Sequence, residues 1–213
     1  CLSFALAFSL CLAQWGFIAE ALSFWSSKGD MPTARRAPAA VELDGKIYVM
    51  GGQNGKYYNV VERYDPVSDT WEMKAPMPTD RAWLVAEAVN GKIYAIGGNN
   101  PTSGKLGTVE EYDPSSNTWT MKSPMPTFRD DAVSAAVNGK IYVIGGWLDS
   151  ALDVVEEYDP ATDSWTTKAP IPEGRAMAAS AALNGKIYVF GGFDSGGDHM
   201  QNYEYNTSSD TWL

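Results

Sequence analysis

The stretch Asn138-Gly139-Lys140-Ile141-Tyr142-Val143-Ile144-Gly145-Gly146 decides the fold. Its centre is a short run of β-branched and aromatic residues, the composition of a strand. The Asn-Gly dipeptide that opens it follows an alanine-rich stretch, residues 132–137, and Asn-Gly between two such runs signals a two-residue hairpin. The same turn returns at Asp44-Gly45, Asn90-Gly91 and Asn184-Gly185. The glycine pair that ends the run returns as well, at Gly51-Gly52, Gly97-Gly98 and Gly191-Gly192, with a period of 46 to 48 residues.

Working outward within one copy, a variable loop leads to a third run, Val109-Glu110-Glu111-Tyr112, which Asp113-Pro114 closes because proline cannot continue a ladder. A fourth run follows, Thr118-Trp119-Thr120-Met121-Lys122. Its tryptophan stands seven residues after the tyrosine in every copy: Tyr64 and Trp71, Tyr112 and Trp119, Tyr158 and Trp165, Tyr205 and Trp212. Each period is thus a four-stranded antiparallel sheet, too small to bury its own faces. Stacking such sheets about an axis lets neighbours supply the missing core, which makes the chain an all-β propeller.

Glycine pair, tyrosine and tryptophan in this order and spacing resemble the kelch repeat family over residues 25 to 213. The resemblance implies that these residues are structural, the glycines allowing close packing and the aromatics filling space between blades. The expected blades are about 31–75, 77–123, 125–169 and 171–213, within a domain of residues 22–213. Residues 22–28 read as one extra N-terminal outer strand, since Trp25 to Lys28 repeats the spacing of Trp71 to Lys74. Propellers of this family usually have five to seven blades, so four blades and a spare strand imply an incomplete ring and a fragment. A true four-bladed ring, or two chains sharing one ring, is the alternative to missing repeats, and a monomer is expected unless two chains complete one ring.

Composition agrees with a folded domain: 45% hydrophobic, 12% aromatic and 20% charged residues exclude disorder. The net charge of −10 opposes binding to nucleic acid or to an anionic membrane surface. Residues 1–27 hold a single charge, Glu20. The apolar run there ends in Ala19-Glu20-Ala21, the small-x-small form of a secretory cleavage site. Residues 1–21 are expected to be a signal peptide, which places the protein outside the cell or in its envelope. The alternatives are a membrane anchor within residues 1–25 and a buried helix. Both cysteines, Cys1 and Cys11, fall in this segment, so no disulfide is expected in the domain.

The loops are where function is expected, because strand positions are committed to stacking. Sixteen residues before each glycine pair stands an arginine, Arg35, Arg81, Arg129 and Arg175, each in a Pro-x-x-Arg context. In the adaptor-type relatives that the resemblance brings in, arginines here line the channel mouth and grip acidic ligands, as guanidinium groups can. The competing reading ties each arginine to a third-strand carboxylate such as Glu62, Glu110 or Glu156. Two sites vary between copies inside the fixed frame. Two residues past the arginine the chain reads Ala37, Trp83, Asp131 and Met177; just after the glycine pair it reads Gln53, Asn99, Trp147 and Phe193. Trp83, Trp147 and Phe193 are the apolar ligand candidates, or else loop anchors.

Catalytic constellations are sparse. His199 is the sole histidine, which excludes two-histidine metal sites and the copper site of galactose oxidase, an enzyme with a kelch-like propeller. Residues 194–199, with Asp194, Asp198 and His199, read as a solvated turn rather than a calcium loop. No metal and no cofactor is expected. The expected function is a non-catalytic module that binds a protein or glycan ligand. Its rival is a fragment of a kelch-type carbohydrate-active enzyme, of the sugar oxidase or sialic acid epimerase kind.

Overall fold

The computed structural model describes residues 25–213, and every regular element among them is a strand. The chain divides into two compact units, Cys1–Asp30 and Met31–Leu213. In the first, the described residues 25–30 form no strand and Trp25 is 93% exposed, so the extra outer strand expected from residue 22 is not formed by its described part. The signal-peptide reading, and residues 22–24 of that strand, lie outside the described residues.

The second unit is built of four blades. Blade 1 comprises β1 (Ala39–Leu43), β2 (Lys46–Met50), β3 (Val61–Asp65) and β4 (Thr70–Lys74). Blade 2 has β5 (Val85–Val89) and β6 (Lys92–Ile96), then a small loop hairpin, β7 (Asn99–Asn100) with β8 (Gly104–Lys105), then β9 (Val109–Asp113) and β10 (Thr118–Lys122). Blade 3 comprises β11 (Val133–Val137), β12 (Lys140–Ile144), β13 (Val155–Asp159) and β14 (Ser164–Lys168). Blade 4 has β15 (Ala179–Leu183) and β16 (Lys186–Phe190), a loop hairpin of β17 (Phe193–Asp194) and β18 (Gly197–Asp198), then β19 (Asn202–Asn206) and β20 (Thr211–Trp212). Within each blade the four long strands pair antiparallel in chain order.

Between blades the repeated aromatics act as clips. Tyr158 faces Trp165 across β13 and β14, ring centroids 5.0 Å apart, and its hydroxyl donates to Asp163 Oδ1 at 2.7 Å. The same Oδ1 accepts the Ser123 N–H of blade 2, while Trp165 Nε1 donates to the Ser123 carbonyl at 2.9 Å. Asn117 and Trp119 hold Ala75 in the same way, and Asp210 and Trp212 hold Ala169. Both backbone groups of one residue at the end of the outer strands of blades 1, 2 and 3 are thereby satisfied by the next blade, as a buried interface requires. The third member of the clip, an Asp or Asn five residues after the tyrosine, is not among the marks read from sequence.

The innermost strands pack in order, β1 on β5, β5 on β11 and β11 on β15. Among the described residues no contact joins blade 4 to blade 1, so the four propeller blades form an open arc. The consequence is visible in burial. Alternate residues of β11 are buried, whereas four of the five residues of β15 are exposed.

Candidate functional site

The four arginines come from the segments that enter each innermost strand, and their side chains turn inward. Arg129 Nη1 donates to Glu156 Oε2 at 2.6 Å and Nη2 to the Val143 carbonyl at 3.1 Å, with the two charged side chains 0% and 2% exposed. Glu156 uses its other oxygen to accept the Thr127 N–H and hydroxyl. Arg35 stands against Glu62 at 2.5 Å and Arg81 against Glu110 at 2.8 Å, all four side chains fully enclosed. The Arg81 contact is a charge pair rather than an aligned hydrogen bond. Burial weakens the hold of Arg81 and Arg129 on their protons, and the facing carboxylates oppose that shift. Blade 4 departs from the pattern. Tyr203 occupies the place of the glutamate, and Arg175 lies over its ring at 4.7 Å while donating to the Gly191 and Gln201 carbonyls.

A ring of cations at the mouth is therefore not what the geometry presents. Three arginines are neutralised by buried glutamates, and all four guanidinium groups are covered. Their backbones also serve the seams, since the carbonyls of Arg81, Arg129 and Arg175 accept the N–H of Gly52, Gly98 and Gly146 in the preceding blade.

The two variable positions, by contrast, meet on one face. It is the end of the blades where second strands leave and the next blade's first strand is entered. The residue after each arginine bridges the residue after each glycine pair: Arg36 with Gln53, Ala82 with Asn99, Asp130 with Trp147, Ala176 with Phe193. One residue further on, Ala37, Trp83, Asp131 and Met177 all take left-handed backbone, with φ of 53°, 54°, 52° and 50°. Non-glycine residues rarely do so, and here each is held by a backbone ladder across the seams: Trp83 N–H to the Ala37 carbonyl, Asp131 to Trp83, Met177 to Asp131. The ladder fixes the backbone and leaves the side chains free to differ.

Trp147 stacks on Phe193 across the seam of blades 3 and 4, ring centroids 5.5 Å apart and planes 23° apart, and both are half-buried. Trp83 is half-buried too and pairs with Tyr57 of the blade 1 loop at 6.1 Å, a partner that the sequence did not single out. Beside the stack, Leu148 is 37% and Met177 56% exposed. In the blade 4 loop, His199 Nδ1 is 3.4 Å from Glu173 and Nε2 3.5 Å from Asp194, with Asp194 also accepting the Gly196 N–H. Among the described residues no group of three His, Cys, Asp or Glu is placed to hold a metal ion.

Asp131 is the half-buried carboxylate of this face, and its carboxyl accepts no hydrogen bond among the described residues. Burial first, and then the neighbouring Asp130, raise it to about 6, with Lys105 opposing. A carboxyl whose folded value lies above its unfolded one binds more protons in the fold, so its effect on stability worsens as pH rises through about 4 to 6. Asp131→Asn is therefore expected to stabilise the domain near neutral pH, by on the order of 1 kcal/mol after allowance for solvent screening. The gain should vanish at about pH 4. Urea unfolding at the two pH values checks this, and asparagine accepts the left-handed backbone.

Comparison with known families and structures accords with this architecture. The family model described as KLHDC2/KLHL20/DRC7 Kelch-repeats domain matches residues 19–192, and the Kelch motif model matches residues 174–213. Comparison with curated proteins gives no match. Among solved structures, "Structure of YjhT" aligns with a TM-score of 0.76 at 20% identity, over 88% of this chain. The chain spans 66% of that structure's length, and at such identity the likeness is one of fold. With the first of these family models covering most of its length, the chain belongs to the kelch repeat family.

Proposed function

We propose that this chain is a non-catalytic binding module that recognises a protein or glycan ligand through the loop face that carries Trp83, Trp147 and Phe193. Kelch propellers generally mediate protein interactions. The observation that carries the reading is the convergence of both variable positions on one face, on a backbone held by the ladder of Ala37, Trp83, Asp131 and Met177. A rigid frame with exchangeable side chains is how loops on a scaffold serve recognition. The arginines support this face from beneath by closing the seams. Export by residues 1–21 belongs to the same proposal and places the module in the envelope or outside the cell.

The test is a panel of oligosaccharides and peptides screened by tryptophan fluorescence and confirmed by calorimetry on the wild type, Trp147→Ala and Phe193→Ala. Truncating a stacked aromatic at a binding surface is expected to weaken binding about tenfold or more. Equal affinity in both variants would move the site elsewhere. Conversion of a bound sugar, rather than its retention, would replace the binding module with the enzyme fragment.

A further inference from the structure

The charge of the loop face is set by what the buried pairs leave uncancelled. With Arg129 held by Glu156 and Arg175 enclosed at 1% exposure, the loops of blades 3 and 4 present no Lys or Arg to solvent on this face. Their exposed charges are Asp149, Asp153 and Asp198, all of one sign, together with Glu173, which faces the Arg175 guanidinium at 3.5 Å. On the same face Asp131 adds a carboxyl without a hydrogen-bond donor, while its neighbour Asp130 is already paired with Lys105 from blade 2. Inside this acidic rim lie the Trp147 and Phe193 stack and the exposed Leu148 and Met177. The repeat does not require an aromatic after the glycine pair, because blades 1 and 2 carry Gln53 and Asn99 there.

We propose that the loop face of blades 3 and 4 docks a basic peptide segment, with one Lys or Arg side chain against Asp131 and its apolar flank on Trp147 and Phe193. The proposal rests on the loop face being the binding surface and names the chemistry of its partner. Charge complementarity selects the occupant: an acidic peptide would meet Asp131, Asp149, Asp153 and Asp198, and a neutral glycan would bring no cation to Asp131. A guanidinium or ammonium satisfies the carboxyl and, over an indole face, gains the attraction of the ring quadrupole. Burial and the neighbouring Asp130 raise the proton affinity of Asp131 against the pull of Lys105, whose ammonium is engaged by Asp130.

The experiment titrates wild type, Asp131→Asn, Trp147→Ala and Asp44→Asn with octa-arginine, octa-lysine, octa-glutamate and a neutral glucose hexasaccharide by calorimetry. Asp44 lies exposed in the hairpin turn at the opposite end of blade 1, so its variant removes the same charge from the other face. The basic peptides are expected to bind and to weaken with added salt. Asp131→Asn and Trp147→Ala should each lower that affinity about fivefold, a loss of the size of one cation–π or ion-pair contact. Asp44→Asn should leave it unchanged. Binding of octa-glutamate as tight as octa-arginine overturns the proposal, as does binding of neither basic peptide. Hexasaccharide binding that is lost in Trp147→Ala, without peptide binding, overturns the basic partner and keeps the loop face. Peptide binding weakened equally by Asp44→Asn and Asp131→Asn overturns both, because the attraction is then only that of net charge.

Discussion

Glu156→Ala is expected to cost about 3–5 kcal/mol of folding stability, the usual penalty for leaving a buried charge without its partner. The truncation strips Arg129 of its counter-charge and leaves only the Val143 and Thr127 carbonyls around the guanidinium. It also removes the acceptor for the Thr127 N–H and hydroxyl, two further donors of the segment that enters blade 3. Since a domain's whole stability is about 5–15 kcal/mol, the loss is a large fraction of it. Arg129→Met combined with Glu156→Leu removes both charges and is expected to recover much of the loss, because a buried ion pair is costly to halve and cheap to replace by apolar groups. Blade 4 shows a different solution, with Tyr203 in place of the buried glutamate and Arg175 facing the exposed Glu173 at 3.5 Å. Denaturant unfolding of the three variants measures the coupling. A loss below about 1 kcal/mol in Glu156→Ala would show that the guanidinium has other sources of support.

What the sequence could and could not convey follows from the same residues. The blades were legible because strand runs, hairpin turns and glycine pairs are local features repeated four times. The spacing of the arginines placed them correctly in the segments between blades but carried no information about direction. Only the glutamate two residues before three of the four repeated tyrosines, Glu62, Glu110 and Glu156, hinted that they turn inward. The clip's Asp or Asn escaped notice because Asn117 stands where the other copies have Asp69, Asp163 and Asp210. The left-handed backbone at Ala37, Trp83, Asp131 and Met177 had no signal at all. Left-handed positions are ordinarily announced by glycine or asparagine, and here a ladder between blades imposes them instead.

Gly145→Ala carries the second large effect, expected at about 3 kcal/mol or more, from two additive causes. The residue has φ of +62°, where an L side chain costs about 1–2 kcal/mol. A Cβ there would also stand 2.4 Å from the Arg175 carbonyl oxygen of blade 4, a backbone atom that cannot swing aside. That oxygen accepts the Gly146 N–H at 2.9 Å, so moving it away breaks a hydrogen bond of the seam as well. Gly139→Ala separates the two causes. Its φ is +78° and nothing lies within 4 Å of its would-be Cβ, so it should lose only the conformational part. Urea unfolding of both variants gives the difference, which measures how tightly blade 3 meets blade 4. Equal losses would mean that the seam relaxes to admit a methyl group and that the first glycine of each pair is there for its backbone conformation alone. A clearly larger loss in Gly145→Ala would mean that the close approach of neighbouring blades is what demands glycine, and that stability in this arc is passed from blade to blade through the arginine backbone.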